Sequence, residues 1–146
     1  QLTSDHGWRM TDDAYARLEP VMKELVELGC RISLFVDDDI DEASLQKIKA
    51  LGAHRVELYT GPYAEAYGTP EHKAMLTRYA EAGERARAAG LELNAGHDLN
   101  LDNLGDFLVE VKEVKEVSIG HALIVDALEM GYLDAVKAYL DLTSQV

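Results

Sequence analysis

Cysteine occurs once, at Cys30, so the chain can form no internal disulfide and cannot build a cysteine-based zinc cluster. Basic side chains are scarce as well: 14 Lys and Arg against 27 Asp and Glu leave a formal net charge of -13. Nucleic acid and anionic membranes both demand a basic face, and this composition excludes them as partners. Any anionic ligand must be held by local groups. Neither a signal-peptide pattern nor an apolar run of membrane-spanning length is present, and the expectation is a soluble, cytoplasmic protein. The opening Gln1-Leu2-Thr3-Ser4-Asp5 has no initiator Met and no strand or cap of its own, as expected of a chain that starts mid-domain. What is there is ordinary globular material: 146 residues, 47% hydrophobic, enough for one domain with a sizeable core.

The most informative stretch is Leu91 to Asn100, LELNAGHDLN. An alternating apolar strand runs into Asn94-Ala95-Gly96-His97 and then Asp98, read here as a helix cap. Val117 to Leu123, VSIGHAL, repeats the design with Gly120-His121. Two strands that each deliver Gly-His point to chemistry at the carboxyl ends of parallel strands.

In chain order, Asp12-Asp13 can cap a helix reaching Leu28, with Pro20 kinking it or starting its main segment, and Gly29 ends it. Cys30 fits a small buried residue before the strand Ile32 to Val36, which Asp37 to Asp39 stop. Asp41 caps a helix through Ala50, and the strand Arg55 to Thr60 follows. Gly61-Pro62-Tyr63 begins a longer loop to Thr69, the cap of a helix that runs to Ala89. The strand Leu91 to Ala95, a helix from Leu101 to Val111, the strand Val117 to Ile119 and a helical tail from Ala122 to Thr143, broken near Gly131, complete the chain. Strict alternation of strand and helix predicts an α/β fold with a parallel sheet and right-handed crossovers.

Glu57 sits within an otherwise apolar strand, where a carboxylate needs a partner or a task. Thr60 beyond it could donate to a phosphate or fasten the loop. His97 follows a glycine that permits a tight bend, and imidazole suits proton transfer near neutral pH. Gly120 can present its N–H to an anion where the helix after His121 begins. His6, His54 and His72 have no such setting and are read as solvated. Asp37-Asp38-Asp39 raise the idea of a receiver-like signalling domain holding magnesium, but the later strands close without the further Asp and Lys it would require; capping of the next helix is the simpler reading. A metal held by His97 and His121 lacks a third ligand at a diagnostic spacing.

The stretches GCRISLFVDDD, VELYTGPYAEA, LELNAGHDLNLDNL and VSIGHALIVDAL resemble, in order and spacing, the second half of the PdxJ-type pyridoxine 5'-phosphate synthases. NAGH followed about two dozen residues later by IGHA carries the resemblance. It covers residues 1–146 and implies a TIM (β/α)8 barrel of which strands five to eight with their helices are present. It implies condensation of 1-deoxy-D-xylulose 5-phosphate with 3-amino-2-oxopropyl phosphate to pyridoxine 5'-phosphate, with loss of phosphate and water and no cofactor. In that scheme His97 resembles the general acid, Glu57 the carboxylate that stabilises the transition state, Gly120 and His121 the binders of the amino-ketone phosphate, and Thr3 a contact to the deoxyxylulose phosphate. Asp98 stands where members commonly place a ligand-contacting glycine, and Tyr59 where some place histidine. Family members assemble into higher oligomers, so a homo-oligomer is implied too.

The amino-terminal strands, which in such enzymes carry further substrate-gripping groups and bases, are not in this sequence. The expectation is therefore a truncated product, inactive alone, with two unpaired sheet edges and one uncovered apolar face. A non-catalytic half-barrel that binds phosphorylated metabolites is the alternative. Such a chain should self-associate, dock with its other half or fold poorly. Scanning calorimetry at several protein concentrations tests this; a sharp, concentration-independent transition of a monomer would contradict it.

Overall fold

The computed structural model of the chain describes residues 5–144. Four parallel strands, β1 (Ser33–Val36), β2 (Arg55–Tyr59), β3 (Glu92–Gly96) and β4 (Val114–Ser118), lie side by side in that order. Ahead of them is α1 (Asp12–Glu27); the connections carry α2 (Glu42–Ala50), α3 (Gly61–Ala66), α4 (His72–Ala88) and α5 (Leu104–Glu110), and α6 (His121–Met130) and α7 (Tyr132–Thr143) follow β4. Consecutive parallel strands in spatial order are the topology of a barrel wall, each crossover helix returning the chain to the next position.

Alternation along the strands divides the sheet into two unlike faces. Leu34, Val36, Val56, Leu58, Leu93 and Ala95 are buried against the helices, where Leu45 and Ile48 of α2, Tyr79, Ala82 and Ala86 of α4 and Phe107 of α5 complete the core. Gly83 lets α4 approach β3 closely: a Cβ there would stand 3.0 Å from Leu93 Cδ1. The opposite face carries Phe35, Arg55, Glu57, Tyr59, Glu92, Asn94, Glu116 and Ser118, matched across the strands in register. The uncovered face of the sheet is thus polar, not apolar as expected. Apolar exposure lies instead on α6 and α7, where Leu128 is 84% and Leu133 81% exposed.

Several sequence expectations change in detail. Thr11, not Asp12-Asp13, caps α1, its Oγ1 accepting from the Ala14 N–H, and the two aspartates sit in the first turn, where they complement the dipole. Pro20 lies inside an unbroken helix. Cys30 is exposed, because Gly29 at φ 72° turns the chain out of α1 before the strand begins. The expected loop after β2 contains α3, which Pro62 starts, so Thr69 does not cap α4; that helix begins at His72. β4 starts at Val114, three residues early, its Lys115 and Glu116 masking the apolar signal. The Asp37–Asp39 run does not cap α2, a task done by Asp41 through the Ser44 N–H; Asp37 accepts from the Gly7 N–H at 2.6 Å, and Asp38 meets Arg78 at 2.6 Å. His72 is half-buried against Tyr67, with ring centroids 4.6 Å apart, and is not solvated.

An ion network floors the open face. Arg55 donates from Nε to Glu92 at 2.7 Å and from Nη1 to Glu116 at 2.6 Å, Arg31 reaches Glu116 at 2.8 Å, and Asn94 bridges Arg55 and Glu116. Burial pushes the Glu116 carboxyl upward, but the bonds and charges of Arg31, Asn94 and Arg55 outweigh it and hold the group below its ordinary value of 4.5. A carboxylate so depressed stabilises the fold fully above that ordinary value and loses its contribution as pH falls through the lower folded value. Denaturant midpoints of the native chain and Glu116→Gln should therefore differ at neutral pH and converge in acid; a gap that persists at pH 3 would remove the network from the account of stability.

Candidate functional site

At the carboxyl ends of the strands the open face deepens into a cavity of about 580 Å³ lined by Phe35, Glu57, Ala64, Glu65, His97, Asp98, Leu99, Asn100, Ser118, Gly120, His121 and Ala122. Every described candidate from the sequence, Glu57, His97, Asp98, Gly120 and His121, contributes to this one wall. Thr3 lies outside the described residues.

Glu57 comes from the middle of β2, on the polar face. Its nearest charged neighbour along that face, Arg55, is committed to Glu92 and Glu116, and among the described residues Glu57 has no ion pair. Gly96 makes room for it: a Cβ at Gly96 would run into Glu57 Oε1 and stand 2.8 Å from Ser118 Cβ. The glycine before His97 thus serves packing beside the carboxylate. It does not take the left-handed turn itself, which falls to His97 at φ 89° and Asp98 at φ 59°. Such conformations in residues with a Cβ cost on the order of 1 kcal/mol or more each and persist only where the surroundings impose them.

The surroundings are supplied by Thr60. Its fully buried hydroxyl stands 2.8 Å from the Gly96 carbonyl and 2.6 Å from the His97 carbonyl, sharing its one proton between them, and its N–H donates to Gly96 O at 2.9 Å. Of the two roles open to Thr60, fastening the loop is the one observed. Asn103, 1% exposed, completes the lock: Nδ2 donates to Asp98 O at 3.2 Å, Oδ1 accepts from the Asn100 N–H, and Asn100 Oδ1 accepts from the N–H groups of Asp102 and Asn103. Asp98 is not the cap of the next helix, which begins at Leu104; its carboxylate meets His97 Nδ1 at 3.0 Å. Neither asparagine stood out in the sequence, although two Asn three residues apart after a Gly-His turn is a signal for side chains that replace backbone partners.

Tyr59 presents its ring edge-on to His97, with centroids 5.0 Å apart, and packs on Phe35. Burial, and then the charges of Asp98 and Glu65, raise the Tyr59 phenol above its ordinary value and keep it a proton donor at neutral pH. On the far wall Gly120 precedes α6, where a Cβ would meet nothing within 4 Å, and His121 is the first residue of that helix, so backbone N–H groups and an exposed imidazole flank the same opening. The remaining acidic cluster is engaged elsewhere: Asp37 and Asp39 face Arg9, and no group of three or more His, Cys, Asp or Glu among the described residues is arranged to hold a metal ion. No described helix is long and apolar enough to cross a membrane.

A carboxylate, an imidazole and a helix start converge at the carboxyl end of a parallel sheet, and the family model described as "Pyridoxal phosphate biosynthesis protein PdxJ" matches residues 1–145. The chain belongs to the PdxJ family. It is 52% identical over 145 residues to the pyridoxine 5'-phosphate synthase of Albidiferax ferrireducens, a match that covers 99% of this chain and 56% of that protein. Proteins of the same name from Xanthomonas campestris pv. campestris and Xanthomonas oryzae pv. oryzae are 53% and 50% identical over 96% and 97% of the chain, each covered over 54% of its length. The chain spans about half the length of the curated relatives it matches.

The close approach at Gly96 gives a direct test of how this PdxJ-family site is packed. Gly96→Ala should lose about 1–3 kcal/mol, as overpacked sites do, because Glu57 and Ser118 must both give way. Urea unfolding of the two chains measures it, and equal midpoints would mean that Glu57 is free to leave the position described.

Proposed function

We propose that residues 1–146 form the carboxyl-terminal half, strands five to eight, of a PdxJ-type TIM barrel, and that the cavity above β2, β3 and β4 is its part of the pyridoxine 5'-phosphate synthase active site. The observation that carries this reading is the convergence of Glu57, His97, Asp98, Gly120 and His121 on one cavity in a chain of this family. Strand ends on the polar face are where barrel enzymes hold their reactive groups.

In this reading His97 is the general acid of the condensation between 1-deoxy-D-xylulose 5-phosphate and 3-amino-2-oxopropyl phosphate. Glu57, without an ion pair among the described residues and lining the same cavity, supplies a negative charge that favours the cationic character developing at the condensing nitrogen and carbon. Gly120 and His121 hold the amino-ketone phosphate at the start of α6, with backbone N–H groups in a chain whose net charge of -13 would otherwise repel it. By the family resemblance Thr3 is a contact of the deoxyxylulose phosphate and the Asp98 backbone a further ligand contact. Acid–base chemistry on bound phosphate esters needs no cofactor. The assembled enzyme is a cytoplasmic homo-oligomer in which this half meets the strands it lacks.

Phosphate release from the two substrates tests the proposal. The chain alone should give no turnover; mixed with the segment of the Albidiferax relative that it does not match, it should release phosphate, and His97→Asn should abolish this with little loss of stability. Near-normal turnover with His97→Asn would remove His97 from the chemistry. Saturable binding of either substrate without turnover in the mixture would favour the non-catalytic, metabolite-binding half-barrel.

A further inference from the structure

Two adjacent residues in the cavity wall, His97 and Asp98, both take left-handed backbone conformations, and the effect is to fold the second side chain back onto the first. Consecutive side chains in a strand point to opposite faces and cannot bond in this way. Here Asp98 Oδ2 stands 3.0 Å from His97 Nδ1, and the geometry is held from outside by Thr60 on the His97 carbonyl and by Asn103 on the Asp98 carbonyl. Those two clamps leave both side chains free for each other.

An ionised carboxylate can only accept a hydrogen bond, so the hydrogen of this contact belongs to Nδ1. With Nδ1 engaged by Asp98, Nε2 is the nitrogen left to exchange a proton. We propose that Asp98 is the positioning residue of His97: its carboxylate fixes the Nδ1–H tautomer and the ring orientation, so that His97 works through Nε2 alone. The proton on Nδ1 stays there through the cycle. Nε2 gives up its proton to the substrate and regains one afterwards, and Asp98 remains ionised while it offsets the charge of the imidazolium form. This role rests on reading His97 as the proton-transferring group; the pairing itself does not.

Nitrogen-15 spectra of the histidine side chains in the intact chain, recorded at a pH where the imidazoles are neutral, distinguish the two tautomers, and His97→Gln identifies the His97 signals among the five histidines. In the native chain His97 should be mainly Nδ1–H, whereas histidine free in water prefers Nε2–H. Asp98→Gly, which suits a backbone at φ 59° and so keeps the loop, should swing the population toward Nε2–H, and Asp98→Asn, which still offers an acceptor oxygen, should restore Nδ1–H. A native chain already in the Nε2–H form, or the same tautomer in the native chain and Asp98→Gly, would overturn the proposal. The readout needs no turnover: a swing in tautomer keeps the pairing even if the mixture with the relative's segment releases no phosphate, which counts against the synthase reading, while phosphate release with unmoved tautomers does the reverse.

Discussion

The period-two alternation of β1, β2 and β3 is the constraint from which the rest of the molecule follows. One set of side chains, Leu34 and Val36, Val56 and Leu58, Leu93 and Ala95, is consumed by the core, where each large residue contributes about 1.5–3 kcal/mol by leaving water. The intervening set is thereby excluded from that core, and in this chain it is charged or polar at Arg55, Glu57, Glu92 and Asn94. A four-stranded sheet with an apolar open face would be an aggregating surface. This one presents to water a face on which Arg55, Glu92, Asn94, Glu116 and Arg31 already satisfy one another. The most exposed apolar side chains, Leu128 and Leu133, lie on α6 and α7, which bury only Ala135 and Tyr139.

Placing a histidine at the mouth of such a sheet is a separate problem, because a strand end is where backbone order decays. The solution observed is to spend buried polar groups on the loop. Thr60 engages two successive carbonyls of β3 and its extension, its N–H on Gly96 and its single hydroxyl proton shared between Gly96 and His97, and Asn100 and Asn103 close the other side. A buried hydroxyl without partners would cost about 1–3 kcal/mol; used here, the same group stabilises two non-glycine residues in left-handed conformations. The aromatic cluster of Tyr63, Tyr79 and Phe107 lies directly beneath, with Tyr63 donating to Asn103 O at 2.6 Å and Tyr79 to Tyr59 O at 2.5 Å. Core and site are joined through phenolic hydroxyls, which accounts for large tyrosines at fully buried positions.

The order of strands and helices was legible in the sequence because glycines after helices and short β-branched runs are local signals. Gly29, Gly52, Gly90 and Gly131 all take positive φ where the chain leaves a helix or turns. The start of β4 was not legible, since its lumen-facing Glu116 and a bulge between Leu93 and Asn94 break the alternation. Nor was the polarity of the open face, because reading β2 as buried on both sides made Glu57 an exception when it is one member of a polar row. Gly-His at two strand ends was legible as a pattern, and His97, Gly120 and His121 line one cavity. Asp98 reads as a helix cap in the sequence because a side chain that bonds to its own neighbour leaves no periodic trace.

The cavity opens to water along the polar face, and electrostatics explains why that matters. Glu57 and His97 stand in a cavity open to water, where a charge interaction at 4 Å is worth only about 1 kcal/mol, against roughly 4 kcal/mol at the lower effective dielectric of a covered protein site. An orienting contact such as that of Asp98 on His97 is short-ranged and already in place on the open wall. A field effect such as that proposed for Glu57 depends on the exclusion of solvent. The residues of this chain therefore divide by what they require: tautomer control and loop geometry are complete within it, and stabilisation of charge awaits whatever closes over the polar face.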